Sequence, residues 1–251
     1  MMQAFRALVR RELGSAFVSW SGYAVIATVV FLLGLCFVSL LQALNGEPTD
    51  RPITEVFYDT YYFWLVLLLV SPLLTMRSFA LERASGTFET LLTTPVRDST
   101  VVLAKFAGAM TLYLLAWLPL LAYTLIVRHF SHEASVLEPG ALASTFLGIL
   151  LLGGVYMALG CFASALCQSQ IVAGIISLAL GLTLFLLSFI AATYAGKTGW
   201  IPAALSHVYL IEHMRDFSRG IVDTRPVVFY LSLTGLFLYL TCKALESRRW
   251  K

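Results

Sequence analysis

Residues 171–194 read IVAGIISLALGLTLFLLSFIAATY, an apolar run without one charged side chain. A bilayer core takes about 20 consecutive apolar residues as a single helical crossing, so this run is long enough to span. Working outward, five more runs qualify: residues 23–44, 58–76, 106–127, 142–166 and 227–242, the last being the shortest. Strands of a membrane barrel would instead alternate in hydrophobicity over stretches of about ten residues. The runs here are continuous, which predicts helices that satisfy their backbone groups within each crossing. The expected fold is therefore an all-α polytopic membrane protein, with residues 1–251 forming one transmembrane domain of six helices. Composition agrees: 59% of residues are apolar, 12% are charged, and the mean hydropathy is +0.83.

Orientation follows from the loops, because cytoplasmic segments retain Lys and Arg. With the N-terminus inside, the inner segments hold 11 of the 17 basic residues and 5 of the 14 acidic ones, leaving an excess of acid outside. Both termini are expected in the cytoplasm, at the inner (plasma) membrane. Arg6, Arg10 and Arg11 precede the first run as in a signal peptide, but that run is long and has no small-x-small cleavage site before Asn45, which predicts a retained helix. Residues 1–20 place Phe5, Leu8, Val9, Leu13, Phe17 and Trp20 at helical spacing opposite the arginines, as in an amphipathic helix on the inner membrane surface or docked on a partner. Tyr58, Tyr61, Tyr62 and Trp64 are expected as interfacial anchors at the outer end of the second span.

Small residues recur on the fifth span at Gly174, Ser177, Gly181 and Ser188, and a less regular patch occupies Gly153, Gly154 and Gly160 on the fourth. Such faces let helices pack closely, within one chain or between two. In the long outer segment 195–226, Leu205 to Ser218 is too apolar for a solvated helix and predicts one short helix dipping into the outer leaflet.

Several chemistries have no support in the sequence. No Gly-x-x-x-x-Gly-Lys-Ser/Thr phosphate loop occurs, so nucleotide hydrolysis is not expected of this chain. The centres of the spans carry no Asp, Glu, Lys, Arg or His, which argues against a proton or ion pathway. His129, His132, His207 and His213 all fall in outer segments without accompanying thiols, and are expected to be solvated or hydrogen-bonded rather than metal-bound. Cys36, Cys161, Cys167 and Cys242 lie in or beside spans and read as buried thiols. A net charge of +3 without a basic stripe excludes a nucleic-acid partner.

The longest inner segment, residues 77–104, begins RSFALERASGTFETLLTTPVRD. Glu82 and Arg83 close the helix of the second span, and Ser85-Gly86 breaks it. Thr87 can cap a new short helix through Thr93, with Glu89 in its first turn, where negative charge is favourable. Phe88, Leu91 and Leu92 give that helix an apolar face, and Pro95 stops it by removing a donor. A short helix capped at both ends and carrying exposed apolar residues suits a docking surface.

These residues carry a resemblance. The stretch Met76-Arg-Ser-Phe-Ala-x-Glu82-Arg-x-x-Gly-Thr-x-Glu89-x-Leu-Leu-x-x-Pro95-Val, followed by Lys105-Phe-x-Gly108, resembles the loop of ABC-2 type permeases, the membrane subunits of ABC exporters, and most of all the branch associated with gliding motility. The outer segment His213-x-x-x-Phe217-x-Arg219-Gly220-Ile-Val-Asp223 resembles that branch too. The resemblance implies a non-enzymatic permease that pairs with a second permease subunit, as a homo- or heterodimer, and with ABC ATPase subunits carrying ATP and Mg. A further membrane or extracytoplasmic subunit would be compatible with it. It further implies that Glu82, Arg83, Gly86, Thr87, Phe88, Glu89, Leu91, Leu92 and Pro95 form or position the ATPase contact as a coupling helix, that a re-entrant outer helix precedes the last span, and that the chain itself binds no cofactor. An ATP-independent channel or carrier, and a non-transporting assembly protein, are the alternatives.

Overall fold

The computed structural model describes residues 2–18, 20–46, 53–86, 96–130, 139–194 and 199–249. Among them run eleven helices and no strand: α1 (Met2–Val18), α2 (Trp20–Gly46), α3 (Ile53–Asp59), α4 (Tyr61–Thr75), α5 (Ala80–Ala84), α6 (Asp98–Phe130), α7 (Pro139–Leu166), α8 (Gln170–Tyr194), α9 (Trp200–Ser206), α10 (Leu210–Ser218) and α11 (Thr224–Arg249). Six segments are long and apolar enough to cross a membrane, and they correspond to the six runs read from the sequence.

The hub is α7, which packs against α4, α6, α8, α10 and α11 and buries most of its length. It can do so because its glycines leave room for neighbouring side chains. A Cβ at Gly153 would overlap the ring of Tyr113, and one at Gly160 would overlap Thr75. Gly148 takes Phe217 of α10, whose ring would lie 3.1 Å from an added Cβ. Buried hydroxyls then tie helix to helix: Tyr113 donates to the Ile149 carbonyl at 3.2 Å, Tyr156 to Gly181 at 3.2 Å, and Ser71 to Tyr156 at 2.8 Å. In an apolar surrounding, bonds of this kind average about 0.6 kcal/mol each, so close packing does most of the work of holding the bundle.

Helix limits differ from the apolar runs in physically informative ways. The second span does not begin at Tyr58: the chain breaks at Thr60, so Tyr58 ends in α3 and α4 starts at Tyr61. Tyr58 and Trp64 are not interfacial anchors but buried core residues, because Tyr58 donates to the Thr145 carbonyl at 2.8 Å and the Trp64 indole donates to the Tyr58 carbonyl at 3.1 Å. Tyr61 is exposed. The third span extends back to Asp98, whose charge favours a helix N-terminus, so residues 98–105 are helix rather than loop. The single outer helix expected at Leu205–Ser218 is two helices, α9 and α10, separated by a turn at 207–209.

One further expectation is corrected. The second span is not continuous through Arg77 to Glu82; it ends at Thr75, turns over 76–79, and resumes as the separate α5. The expected docking helix, Thr87 to Thr93, lies outside the described residues.

Candidate functional site

Two clusters gather the polar side chains, one at each end of the bundle. At the end carrying α1, α5 and the last turns of α11, the turn that interrupts the second span is fastened to α7. The Phe79 and Ala80 amides donate to Ser164 Oγ at 3.0 and 3.1 Å, and that hydroxyl donates to the Met76 carbonyl at 3.1 Å. One buried serine thus satisfies backbone groups that the broken helix leaves open, which a nonpolar residue could not do. Arg83 donates to the Cys167 carbonyl at 3.3 Å, just past the end of α7. Gly86 follows at φ +70°, a left-handed conformation that suits glycine at a helix end.

A charge network sits beside this staple. Lys105 of α6, only 3% exposed, places its ammonium 2.8 Å from Glu12 of α1 and 3.1 Å from Glu82 of α5. Its nitrogen also lies 5.3 Å from the centre of the Phe79 ring. Arg11 pairs with Glu82 as well and stands 3.6 Å from Glu12. Two glycines permit the approach: a Cβ at Gly108 would meet the Glu12 Cβ at 3.0 Å, and one at Gly22 would overlap the Ala16 carbonyl where α1 turns into α2. Helix α1, read from the sequence as a surface helix, is in the structure packed along α6 and ion-paired to α5. Lys105 and Glu82 flank the segment 87–95 on its two sides, so both roots of that segment are held by one set of charges.

Of the residues expected to touch an ATPase, Glu82, Arg83 and Gly86 lie in this root. Thr87, Phe88, Glu89, Leu91, Leu92 and Pro95 lie outside the described residues.

At the opposite end, α3 and α10 are locked together. Glu55, buried, accepts from Arg219 through both oxygens at 2.9 and 2.8 Å, and Arg215 approaches at 3.6 Å. The bidentate fork is the strong geometry for a guanidinium and a carboxylate. Thr54 donates to the Ser218 carbonyl at 2.7 Å. The outer motif then explains itself residue by residue: Phe217 is seated over Gly148, Arg219 reaches Glu55, Gly220 takes φ +85°, and Asp223 accepts the Arg225 amide at 3.2 Å as α11 begins. His213 is half-buried with Nδ1 3.3 Å from the Tyr230 hydroxyl, and burial lowers its pKa to about 4, so the ring is neutral at pH 7. Burial raises the Asp216 carboxyl against the opposing pull of Arg219.

The small-residue face of α8 is turned inward. An added Cβ at Gly181 would meet the Tyr156 ring at 3.0 Å, and one at Gly174 would meet Met76 at 3.5 Å. Ser177 is buried, and Ser188 accepts the Ile211 amide of α10 at 3.2 Å. The exposed side of the same helix carries Ile171, Ile175, Leu182 and Phe189.

Sequence reasoning did not single out Glu12, Ser164 or Glu55, and Lys105 entered only as an inner charge and as part of the loop motif; the available signal for its burial was a lysine set directly among Val101, Val102, Ala104 and Phe106. Among the described residues, no three His, Cys, Asp or Glu side chains converge as metal ligands would. No curated protein matches the sequence. Residues 42–211 match the profile of a family described as ABC-2 family transporter protein, a region that runs from the end of α2 through the root of segment 87–95 into α10. The chain accordingly belongs to the ABC-2 family of transporter membrane proteins.

Proposed function

We propose that this chain is the permease subunit of an ATP-driven exporter, moved by separate ABC ATPase subunits that carry ATP and Mg, and that it pairs with a second permease subunit. The observation that carries this reading is the double anchoring of segment 87–95. Its leading root is stapled to α7 by Ser164 and Arg83, and its trailing root is the first two turns of α6, tied back to α5 and α1 through Lys105. A load applied to that segment is delivered to α4, α6, α7 and α1 together rather than absorbed by a slack loop. Coupling of this kind needs a stiff element that biases two arrangements of the bundle.

On this reading the end bearing both termini faces the cytoplasm at the inner (plasma) membrane, in line with the bias of basic residues. Thr87, Phe88, Glu89, Leu91, Leu92 and Pro95 form the docked helix, and Glu82, Arg83 and Gly86 position it. ATP binding draws two ATPases together and displaces the anchored segments, and release occurs at the end where α3, α9 and α10 lie. Within the family, the loop and outer motifs resemble those of the gliding-motility-associated branch, and on this reading the chain is a member of it.

The test is Phe88→Asp with Leu91→Asp, expressed with the neighbouring ATPase gene and a tag on the permease. Membrane insertion is expected to persist and ATPase co-purification to disappear. Retained co-purification would sink the docking assignment.

A further inference from the structure

Between α2, α3, α6 and α7, at the end opposite the termini, lies a cavity of about 40 Å³. Leu33, Phe37 and Leu40 of α2, Phe57 of α3, and Leu120 and Val127 of α6 make much of its wall. Three threonines also reach it, and each has its hydroxyl engaged with a backbone carbonyl: Thr54 donates to Ser218 at 2.7 Å, Thr124 to Leu121 at 2.8 Å and Thr145 to Ala141 at 2.6 Å. The Tyr123 hydroxyl is carried over to α2, where a Cβ on Gly34 would lie 3.7 Å from it. Water needs about two to four polar partners to be held in a cavity, and this wall commits its donors elsewhere. Hydrocarbon has no such requirement. The space is about three times the roughly 10–15 Å³ that one water takes, which suits a single strand of methylenes and is too narrow for a head group. The larger cavity beside Lys105, of about 460 Å³, differs: it is apolar on the side of Leu73, Leu74 and Leu112, and bounded on the other by Glu12, Glu82 and Lys105, whose charges already meet one another.

Position supplies the source of the hydrocarbon. The α2 and α6 walls lie within the membrane-crossing segments Gly22–Gln42 and Asp98–Val127. Beside them, Val38 and Leu41 on α2 and Leu121 and Leu125 on α6 are exposed, so this flank of the chain meets acyl chains. Phe37 and Tyr123, both half-buried, bridge the seam between the two helices, with ring centres 4.6 Å apart and 14° between their planes. We infer that the cavity takes the end of one acyl chain of a phospholipid, drawn from the leaflet on the side of α3 and α10 and entering between α2 and α6 past the Phe37–Tyr123 pair. Contact is with the chain alone, and the head group stays at the membrane surface.

The bound chain would pack α2 against α6 and α7 where the hydroxyl bonds between helices do not reach. The site lies within one chain and needs neither an ATPase nor a second permease subunit, so its failure and the failure of the exporter reading are separable.

The full chain, reconstituted in phosphatidylcholine liposomes doped with phosphatidylcholine that carries a diazirine at the end of one acyl chain, tests this by irradiation, digestion and mass-spectrometric mapping. Leu120 and Phe57, each 7% exposed, are expected to be labelled at a yield comparable to that of the exposed Leu125. Leu142→Trp and, independently, Leu33→Trp fill the cavity from α7 and from α2. Either should lower labelling of Leu120 and Phe57 by about fivefold or more, the weight of one or two methylenes lost from an apolar site, while Leu125 keeps its label and the protein stays monodisperse on size exclusion. Labelling of the unaltered chain confined to exposed side chains would overturn the proposal. So would undiminished labelling of Leu120 and Phe57 in both tryptophan variants. Label at those two residues from a free short-chain alkyl diazirine, with none from the phospholipid, would overturn it as well and give the cavity to a small apolar solute.

Discussion

Replacing Lys105 with Met keeps an unbranched side chain one atom shorter and removes its charge. The Lys105 side chain is only 3% exposed, yet its ammonium serves Glu12 at 2.8 Å and Glu82 at 3.1 Å. Breaking a fully buried pair by deleting one partner costs about 3–5 kcal/mol, because a charge is left without compensation. Here the carboxylates retain 21% and 14% exposure and Arg11 still pairs with Glu82, so they can recover part of their hydration. The expected penalty is about 2–3 kcal/mol, concentrated where α1 meets α5 and α6. At 1.36 kcal/mol per tenfold, the opening of α1 becomes about 30- to 150-fold more frequent. Hydrogen–deuterium exchange of the purified chain in nanodiscs reads this directly, through the amides of residues 6–18. Exchange there within about threefold of the unaltered protein would refute the reasoning. The triple variant Lys105→Met, Glu12→Gln, Glu82→Gln separates charge from packing: with no orphaned carboxylates left, most of the protection should return.

Other expectations follow from the opposite end and from the hub. Glu55→Gln should lower stability by about 1–3 kcal/mol, less than a fully buried pair because the Arg215 and Arg219 side chains are 38% and 45% exposed; a thermal melt of the solubilised protein measures it. His213 has a folded pKa of about 4 against an ordinary 6.5, so the folded state binds fewer protons between those values. Its contribution is complete above pH 6.5 and is lost as pH falls toward 4, and His213→Gln should flatten the melting temperature across that window. Gly160→Ala should cost about 1–3 kcal/mol, because the new methyl overlaps Thr75, whereas Gly235→Ala, with nothing within 4 Å, should not destabilise the protein. Equal melting temperatures for those two variants would contradict the packing described for α7.

The break between α4 and α5 shows where sequence patterning stops being informative. Residues 58–84 contain no proline after Pro72 and no glycine, so nothing local interrupts the helix at 76–79. The interruption is stabilised from α7, where Ser164 accepts the buried amides of Phe79 and Ala80. Of the breakers read in the loop, Ser85 and Gly86 lie in the described root and were legible because a helix end with a left-handed glycine is a local property, whereas Thr87 and Pro95 lie outside the described residues. The network that roots the loop was not legible, because Glu12, Glu82 and Lys105 lie 70 and 93 residues apart along the chain and meet only when α1 folds back on α6. The same holds for Glu55 and Arg219, separated by 164 residues.

By itself the sequence determined that the chain crosses a membrane six times as helices, since continuous apolar length and internal hydrogen bonding are properties of each segment alone. It also carried, in residues 77–104, a motif that resembles that of the ABC-2 permeases, the family that the match over residues 42–211 shows. Only the tertiary structure decided that α1 packs along α6 and pairs with Lys105 and Glu82, that the glycine and serine face of α8 looks inward, that Phe217 and Arg219 of the outer motif serve Gly148 and Glu55, and that a two-sided cavity opens beside Lys105. The physical reason is range: apolar runs and caps act over one or two helical turns, whereas a buried charge acquires its meaning from whichever opposite charge the packing of six helices brings within 3 Å or so of it.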